Sequence, residues 1–322
     1  MQTGLVQQTE SSNMATLARR AKQRSIDSIP ANTRRAFASD WAAFTTWCAS
    51  EGVAALPATD DTVTAYAEHL AGRGLKVATI RRAFTTINKA HKTARVYSPT
   101  ESAEVQEVLK GIVRTLGSAS TRKAAATDGT VKAMVAALPD TLTGKRDRAL
   151  ILLGFAGALR RSELVAVHVE DVTFLPDGSA DLYLPKSKTD QEGKGATLAI
   201  RRGSNGPDTC PVRSLRAWID AAGITEGAVF RSVRRGGHVT ADQLRSGSVA
   251  EIIKGAASAA GMEPEAYSGH SLRRGWITTV AKAGAIERSI MAHSRHIRVE
   301  TCRAYIEDAR RHDNEALGMT SL

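Results

Sequence analysis

The chain has 322 residues, 42% of them hydrophobic and 24% charged, which is the profile of a soluble globular protein with room for two cores. Its 44 Lys and Arg against 33 Asp and Glu give a formal charge of +11, an excess that favours a polyanionic partner, nucleic acid above all. Three widely spaced cysteines exclude a disulfide framework and a Cys-x-x-Cys zinc site; with no apolar run of about 20 residues and no secretory signal pattern, the expected location is the cytoplasm.

In chain order, residues 1–30 read as a flexible basic segment. In NTRRAFASDWAAFTTWCASEG, Phe37, Trp41, Phe44 and Trp47 recur at helical spacing, with Asn32 or Thr33 as cap and Gly52 beyond the end. TDDTVTAYAEHLAGRG, ATIRRAFTTINKAHK and SPTESAEVQEVLKGIVRTLG add three more helices, so residues 31–117 are expected to form a compact helical domain. Residues 118–129 are small and polar and read as a linker.

The second domain, residues 130–322, is expected to be α-rich. TVKAMVAALPD and KRDRALILLGFAGALRRSELVAVHV read as helices. DVTFLPDGSADLYLPKSKTDQEGKGATLAI reads as three strands, with PDG as one turn and DQEGKG as a longer second one. From PVRSLRAWIDAAG onward the pattern is helical to the end. The fold class is therefore mainly α, with a small antiparallel β-sheet in the second domain. No G-x-x-x-x-G-K-[ST] loop occurs, which argues against ATP-driven chemistry.

Charge is unevenly spread. From Arg73 to Arg95 the chain holds seven Lys and Arg and no acidic residue. A merely solvated helix face is usually laced with i,i+4 acid–base pairs, so an acid-free face points to phosphate contact. Arg81, Arg82, Lys89 and Lys92 are the candidates there, and Arg245 in QLRSGSVAEIIKG is one in the second domain.

Three short motifs carry the chemistry. In GALRRSELVAV, Arg160 and Glu163 are three apart and share a face if helical. On its own this could be a local ion pair worth a few tenths of a kcal/mol (~0.3). In SGHSLRRGWITTVAKAG, His270 and Arg273 stand at a helix start, where free N–H groups and the helix dipole favour an anion. Near the end, RHIRVETCRAYIED holds His296 and, nine positions on, Tyr305. Arginine forks hold phosphate oxygens, and a tyrosine hydroxyl can form a phosphate ester that conserves the bond energy.

GALRRSEL, LPKSKTD, GHSLR and HIRVETCRAY, in this order, resemble the motifs of the tyrosine recombinases, also called the phage integrase family. DWAAFTTWCASEG, AYAEHLAGRGLKVATIRRAF and SGHSLRRG also resemble segments of one member, in matching order. The resemblance implies an amino-terminal core-binding domain and a catalytic domain that clamp duplex DNA at a specific site, in a homotetramer made of two dimers. It implies a bacterial or phage source and association with the nucleoid. It implies that Tyr305 attacks the scissile phosphate, that Arg160 and Arg273 hold its non-bridging oxygens, and that His270 assists proton transfer. His296 would hydrogen-bond the phosphate, Glu163 would support its neighbours, and a hairpin lysine would protonate the leaving oxygen. No metal or cofactor is implied.

Several assignments have competitors. Lys188 fits the family position, with Lys186 and Lys194 nearby; Arg161 and Arg274 duplicate the neighbouring charges, and helical geometry does not separate Arg274 from Arg273. His293 competes with His296. A type IB topoisomerase-like enzyme and a DNA-binding protein without catalysis are the alternative functions. One structural demand follows from the spacing. Nine residues are two and a half helical turns, so His296 and Tyr305 can share a phosphate only if the helix breaks between His296 and Val299.

Overall fold

The computed structural model describes residues 14, 16–24, 28–117, 123–185, 195–204 and 206–311. The chain divides into two compact units, Met1–Thr121 and Arg122–Leu322. Within the segment expected to be flexible, residues 16–24 are helical and exposed. No helix among the described residues is long and apolar enough to cross a membrane.

Helices α1 (Ala31–Ser50), α2 (Asp60–Gly72), α3 (Val77–Ala94) and α4 (Ala103–Leu116) build the first unit. α1 starts behind Pro30, so Asn32 and Thr33 lie inside its first turn rather than capping it. The aromatic spacing of α1 does its expected work. Phe44 is buried and meets Tyr66 of α2 edge-on at 5.0 Å, while Trp41 and Trp47 pack at the margin of the same cluster. Thr59 caps α2 by accepting from the Thr62 N–H at 3.2 Å, and Asp60 and Asp61 follow at the positive end of the dipole. Ile80, Phe84 and Ile87 of α3 face inward, which leaves its Lys and Arg residues outside.

In the second unit, α5 (Asp128–Ala136) and the apolar α6 (Leu142–Ala156) precede a short α7 (Arg161–Val165). β1 (Val172–Phe174), β2 (Ala180–Leu184) and β3 (Ala196–Ile200) pair antiparallel in that order, with Leu182 opposite Leu198. Then follow α8 (Pro211–Ala221), strands β4 (Arg231–Val233) and β5 (Val239–Gln243), and α9 (Ser248–Ala259), α10 (Ser271–Lys282), α11 (Glu287–Ser294) and α12 (Val299–Ala309). The main core gathers α6, the inner face of the sheet and Trp218 of α8, whose indole N–H donates to Val229 at 2.9 Å. A separate cluster of Ile277, Ala281, Ile290 and Cys302 joins α10, α11 and α12 and seats Tyr305 at its edge.

Two expectations need correction. The run from Lys145 to Val169 is not one helix: α6 stops at Ala156, and Ala158 takes a left-handed φ of 45° before the chain re-enters a helix at Arg161. The N–H groups of Ala158 and Leu159 close on the carbonyls of Phe155 and Gly154, ending α6 in hydrogen-bonded turns. The helices after Pro211 are also interrupted, by the β4–β5 hairpin. Its turn holds Gly236 and Gly237 at φ 86° and 82°, and its strands are short, polar and only half-buried. Such strands leave little hydrophobic alternation to read.

Candidate active site

Three breaks in helical structure aim the side chains. The α6–α7 turn presents Arg160, which caps α7 rather than lying within it. The start of α10 presents His270 at its cap and Arg273 one turn in. α11 ends at Ser294, Arg295 adopts a left-handed φ of 57°, and α12 begins at Val299. The break that the His296–Tyr305 spacing demands is therefore present. It brings the two rings to a centroid separation of 6.2 Å.

Arg160, His270, Arg273, His296 and Tyr305 line one pocket of about 510 Å³, together with Arg274, Ile277, Ile297, Arg298 and Thr301. Arg160 donates from Nη1 to Glu163 Oε1 at 2.6 Å, and its backbone N–H donates to Oε2 at 2.9 Å. Glu163 is 4% exposed, so the surface-pair reading of this contact does not hold. Burial raises its carboxyl, but Arg295 and Arg160 together outweigh burial and hold it below the usual carboxylate range.

Arg273 is 6% exposed and donates from Nη1 to the Ala158 carbonyl at 2.7 Å. Burial first, then Arg160 and Arg295, push it down to about 9, so it remains charged at neutral pH. Its charge is poorly compensated, which suits it to an incoming anion. Arg274 is separated from it by geometry. Its guanidinium donates to Asp308 of α12 at 2.6 Å and to the Lys123 carbonyl. Arg161 lies against the loop before His270, where a Cβ on Gly269 would meet its Cδ at 1.8 Å.

His296 is pushed down to about 4, first by burial and then by Arg273, Arg160 and Arg295, so its imidazole is neutral near pH 7. Ser294 Oγ is 2.6 Å from the Ile290 carbonyl and 2.7 Å from His296 Nδ1. A hydroxyl has one proton and the carbonyl can only accept, so Ser294 donates to Ile290 and accepts from Nδ1–H. Nε2 then carries the lone pair and is the acceptor for Arg273 Nη2, which lies 3.4 Å from Nε2 and 3.3 Å from Nδ1. His293 sits elsewhere: it stacks on Trp276 at 4.4 Å, and its Nε2 contacts the Ala156 carbonyl at 2.7 Å.

Lys186, Lys188 and Lys194 lie outside the described residues. In the first unit, Arg81, Arg82, Lys89 and Lys92 are all exposed on α3. The acids missing from their own helix come from elsewhere. Arg82 forks onto Asp40 of α1 at 2.7 and 2.9 Å, Lys92 pairs with Glu101, and Lys89 lies 4.8 Å above the Phe37 ring. Arg245 is exposed just before α9.

Sequence reasoning missed Arg295 and Ser294. Arg295 Nη2 reaches Glu163 Oε2 at 2.9 Å. The available signal was the required break itself: a break at that point calls for a left-handed residue, and an arginine where Gly or Asn is the easier choice is an anomaly.

The phage integrase family model matches residues 125–312, which include every one of these pocket residues. The chain belongs to the phage integrase family. Its activity is site-specific DNA recombination. An integrase/recombinase XerD homolog of Selenomonas ruminantium is 35% identical over 317 residues, 97% of this chain and 92% of the relative. Recombinase Cre of Escherichia phage P1, the member whose three segments the sequence resembles, is 27% identical over 300 residues, 88% of this chain and 84% of the relative, and is the more distant of the two. XerH site-specific recombinase bound to palindromic difH substrate, a post-cleavage complex, shares the fold with a TM-score of 0.59 at 14% identity, over 81% of this chain and 72% of that one. A lambda integrase (75–356) dimer bound to a COC' core site gives 0.57 at 17% identity, over 92% and 95%.

Proposed function

We propose that the recombinase cuts and rejoins two DNA duplexes through a 3′-phosphotyrosine intermediate and a Holliday junction, as a homotetramer of two dimers on a specific site. The observation that carries this reading is the shared pocket of Arg160, His270, Arg273, His296 and Tyr305. Tyr305 Oη attacks the scissile phosphorus, a P–Oη bond forms and the bond to the 5′ oxygen breaks. The phenolic proton passes to His270, and Lys188 protonates the leaving 5′ oxygen. Arg160 and Arg273 take up charge on the non-bridging oxygens through the transition state. A second 5′ hydroxyl reverses the step without ATP or a cofactor, because the phosphotyrosine ester keeps the bond energy.

The XerH and lambda integrase structures contain DNA, which supports duplex DNA as the partner here. In this scheme residues 31–117 bind the core site, with Arg81, Arg82, Lys89 and Lys92 toward DNA, residues 118–129 link, and residues 130–322 cut, with Arg245 on the backbone. The two units would clamp the duplex. In the cell the enzyme would work at the nucleoid.

A covalent trap tests the chemistry. The protein is mixed with nicked fragments from around its own gene that lose the leaving strand, and then denatured. The expected result is a DNA-shifted protein band, absent for Tyr305→Phe. No adduct on DNA that the protein binds removes the phosphotyrosine reading. Strand exchange between two labelled duplexes separates recombination from monomeric supercoil relaxation.

A further inference from the structure

Arg295 meets Glu163 and Arg160 directly, and Arg273 through a shared carbonyl, without lining the pocket. Arg295 Nη2 donates to Glu163 Oε2 at 2.9 Å and to the Ala158 carbonyl at 3.4 Å. Nη1 donates to His293 and Gly157 carbonyls at 2.9 and 3.3 Å. Its own carbonyl accepts from Arg160 Nη2 at 3.3 Å. The Ala158 carbonyl that it shares also accepts from Arg273 at 2.7 Å.

This arrangement is expensive. Arg295 and Ala158 both adopt positive φ, 57° and 45°, where side-chain-bearing residues are strained. Among the described residues Arg295 Nε is buried without a hydrogen-bond partner, and the Arg160, Arg273 and Arg295 guanidinium groups all lie in the field of the Glu163 carboxylate. Burying charges this way does not by itself stabilise a fold. Strain and unpaired charge collected at one point are what a reactive site retains.

The geometry points to Arg295 as a positioning residue for phosphoryl transfer, one that stops Arg160 from closing a two-pronged fork on Glu163. An arginine beside a free carboxylate takes both oxygens in parallel. Here Oε2 takes both Arg295 Nη2 and the Arg160 backbone N–H, each at 2.9 Å, so the Arg160 guanidinium reaches Oε1 alone and its other prong is turned to the Arg295 carbonyl. The remaining N–H groups of Arg160 stay available to phosphate. Through the Ala158 carbonyl the same residue sets Arg273. This inference rests on the phosphotyrosine reading.

The test is a double-mutant cycle on the rate of adduct formation at saturating DNA, with affinity and melting measured beside it. Arg295→Gly relieves the backbone and removes the guanidinium; the adduct rate is expected to fall roughly 10- to 100-fold with DNA affinity unchanged. In a Glu163→Gln background the carboxylate no longer competes for Arg160, and the same change should cost less than about 3-fold. Arg295→Gln carries the comparison if the glycine variant fails to fold, and Arg295→Lys should recover part of the rate. A wild-type rate in both Arg295→Gly and Arg295→Gln overturns the inference, as does the same loss in both Glu163 backgrounds. A wild type that forms no adduct removes the phosphotyrosine reading instead, so the two failures are distinct.

Discussion

Arg274 donates to Asp308 at 2.6 Å, three residues beyond Tyr305, and that contact ties the helix carrying the tyrosine to the helix carrying Arg273. Both side chains are largely shielded, at 17% and 25% exposed, so water competes only partly for the pair. Arg274 also holds the Lys123 carbonyl, where the chain enters the second unit. The charge that duplicates Arg273 in sequence thus has a separate mechanical task.

Asp308→Asn should therefore loosen α12 without unfolding the unit, at a cost of about 1–2 kcal/mol in local docking. Arg310 donating to Ala281 and Ala285, and Arg303 pairing with Glu287, keep the helix attached. The expected outcome is a roughly 10-fold slower adduct rate with unchanged DNA affinity. Faster amide exchange confined to residues 299–309 is the check; unchanged exchange there would show that the latch does nothing.

His296 makes a stability prediction with a definite sign. Its folded value of about 4 lies below the ordinary value of about 6.5, so between those limits the unfolded chain binds more protons. Stability from this residue is complete above pH 6.5 and is lost as pH falls toward 4. His293, also held down by burial, acts in the same direction. Melting temperature should fall through that window for the wild type and less steeply for His296→Phe. The difference between the two curves isolates His296; parallel curves would contradict its depressed value.

On α3, Arg82 forks onto Asp40 while the exposed Arg81 has no side-chain partner among the described residues, and this predicts different outcomes for the neighbouring arginines. Arg81→Ala should weaken DNA binding and lower the slope of log affinity against log salt by about 1, with no change in melting. Arg82→Ala should also destabilise the bundle, by about 0.2–1 kcal/mol. Asp40→Asn should destabilise it without weakening binding, since it frees a guanidinium. Anisotropy titrations over a salt series, paired with thermal melts, read both effects; identical behaviour of Arg81→Ala and Arg82→Ala would refute the distinction.

What the sequence determined alone was local. The spacing of Phe37, Trp41, Phe44 and Trp47, the alternation in DLYLP, and the order of arginine, histidine and tyrosine motifs are properties of short segments, and short segments obey fixed helical and strand periods. Even the break before Tyr305 follows from counting residues against 3.6 per turn. Tertiary structure alone decided which charge meets which. Arg273 and Arg274 are neighbours in sequence, yet one is buried beside Arg160 and the other is drawn to Asp308. Arg295 stands 132 residues from Glu163, and Arg82 stands 42 from Asp40. Such pairings are chosen by how whole helices pack, because an ion pair forms wherever packing brings opposite charges together, and no local period records that choice.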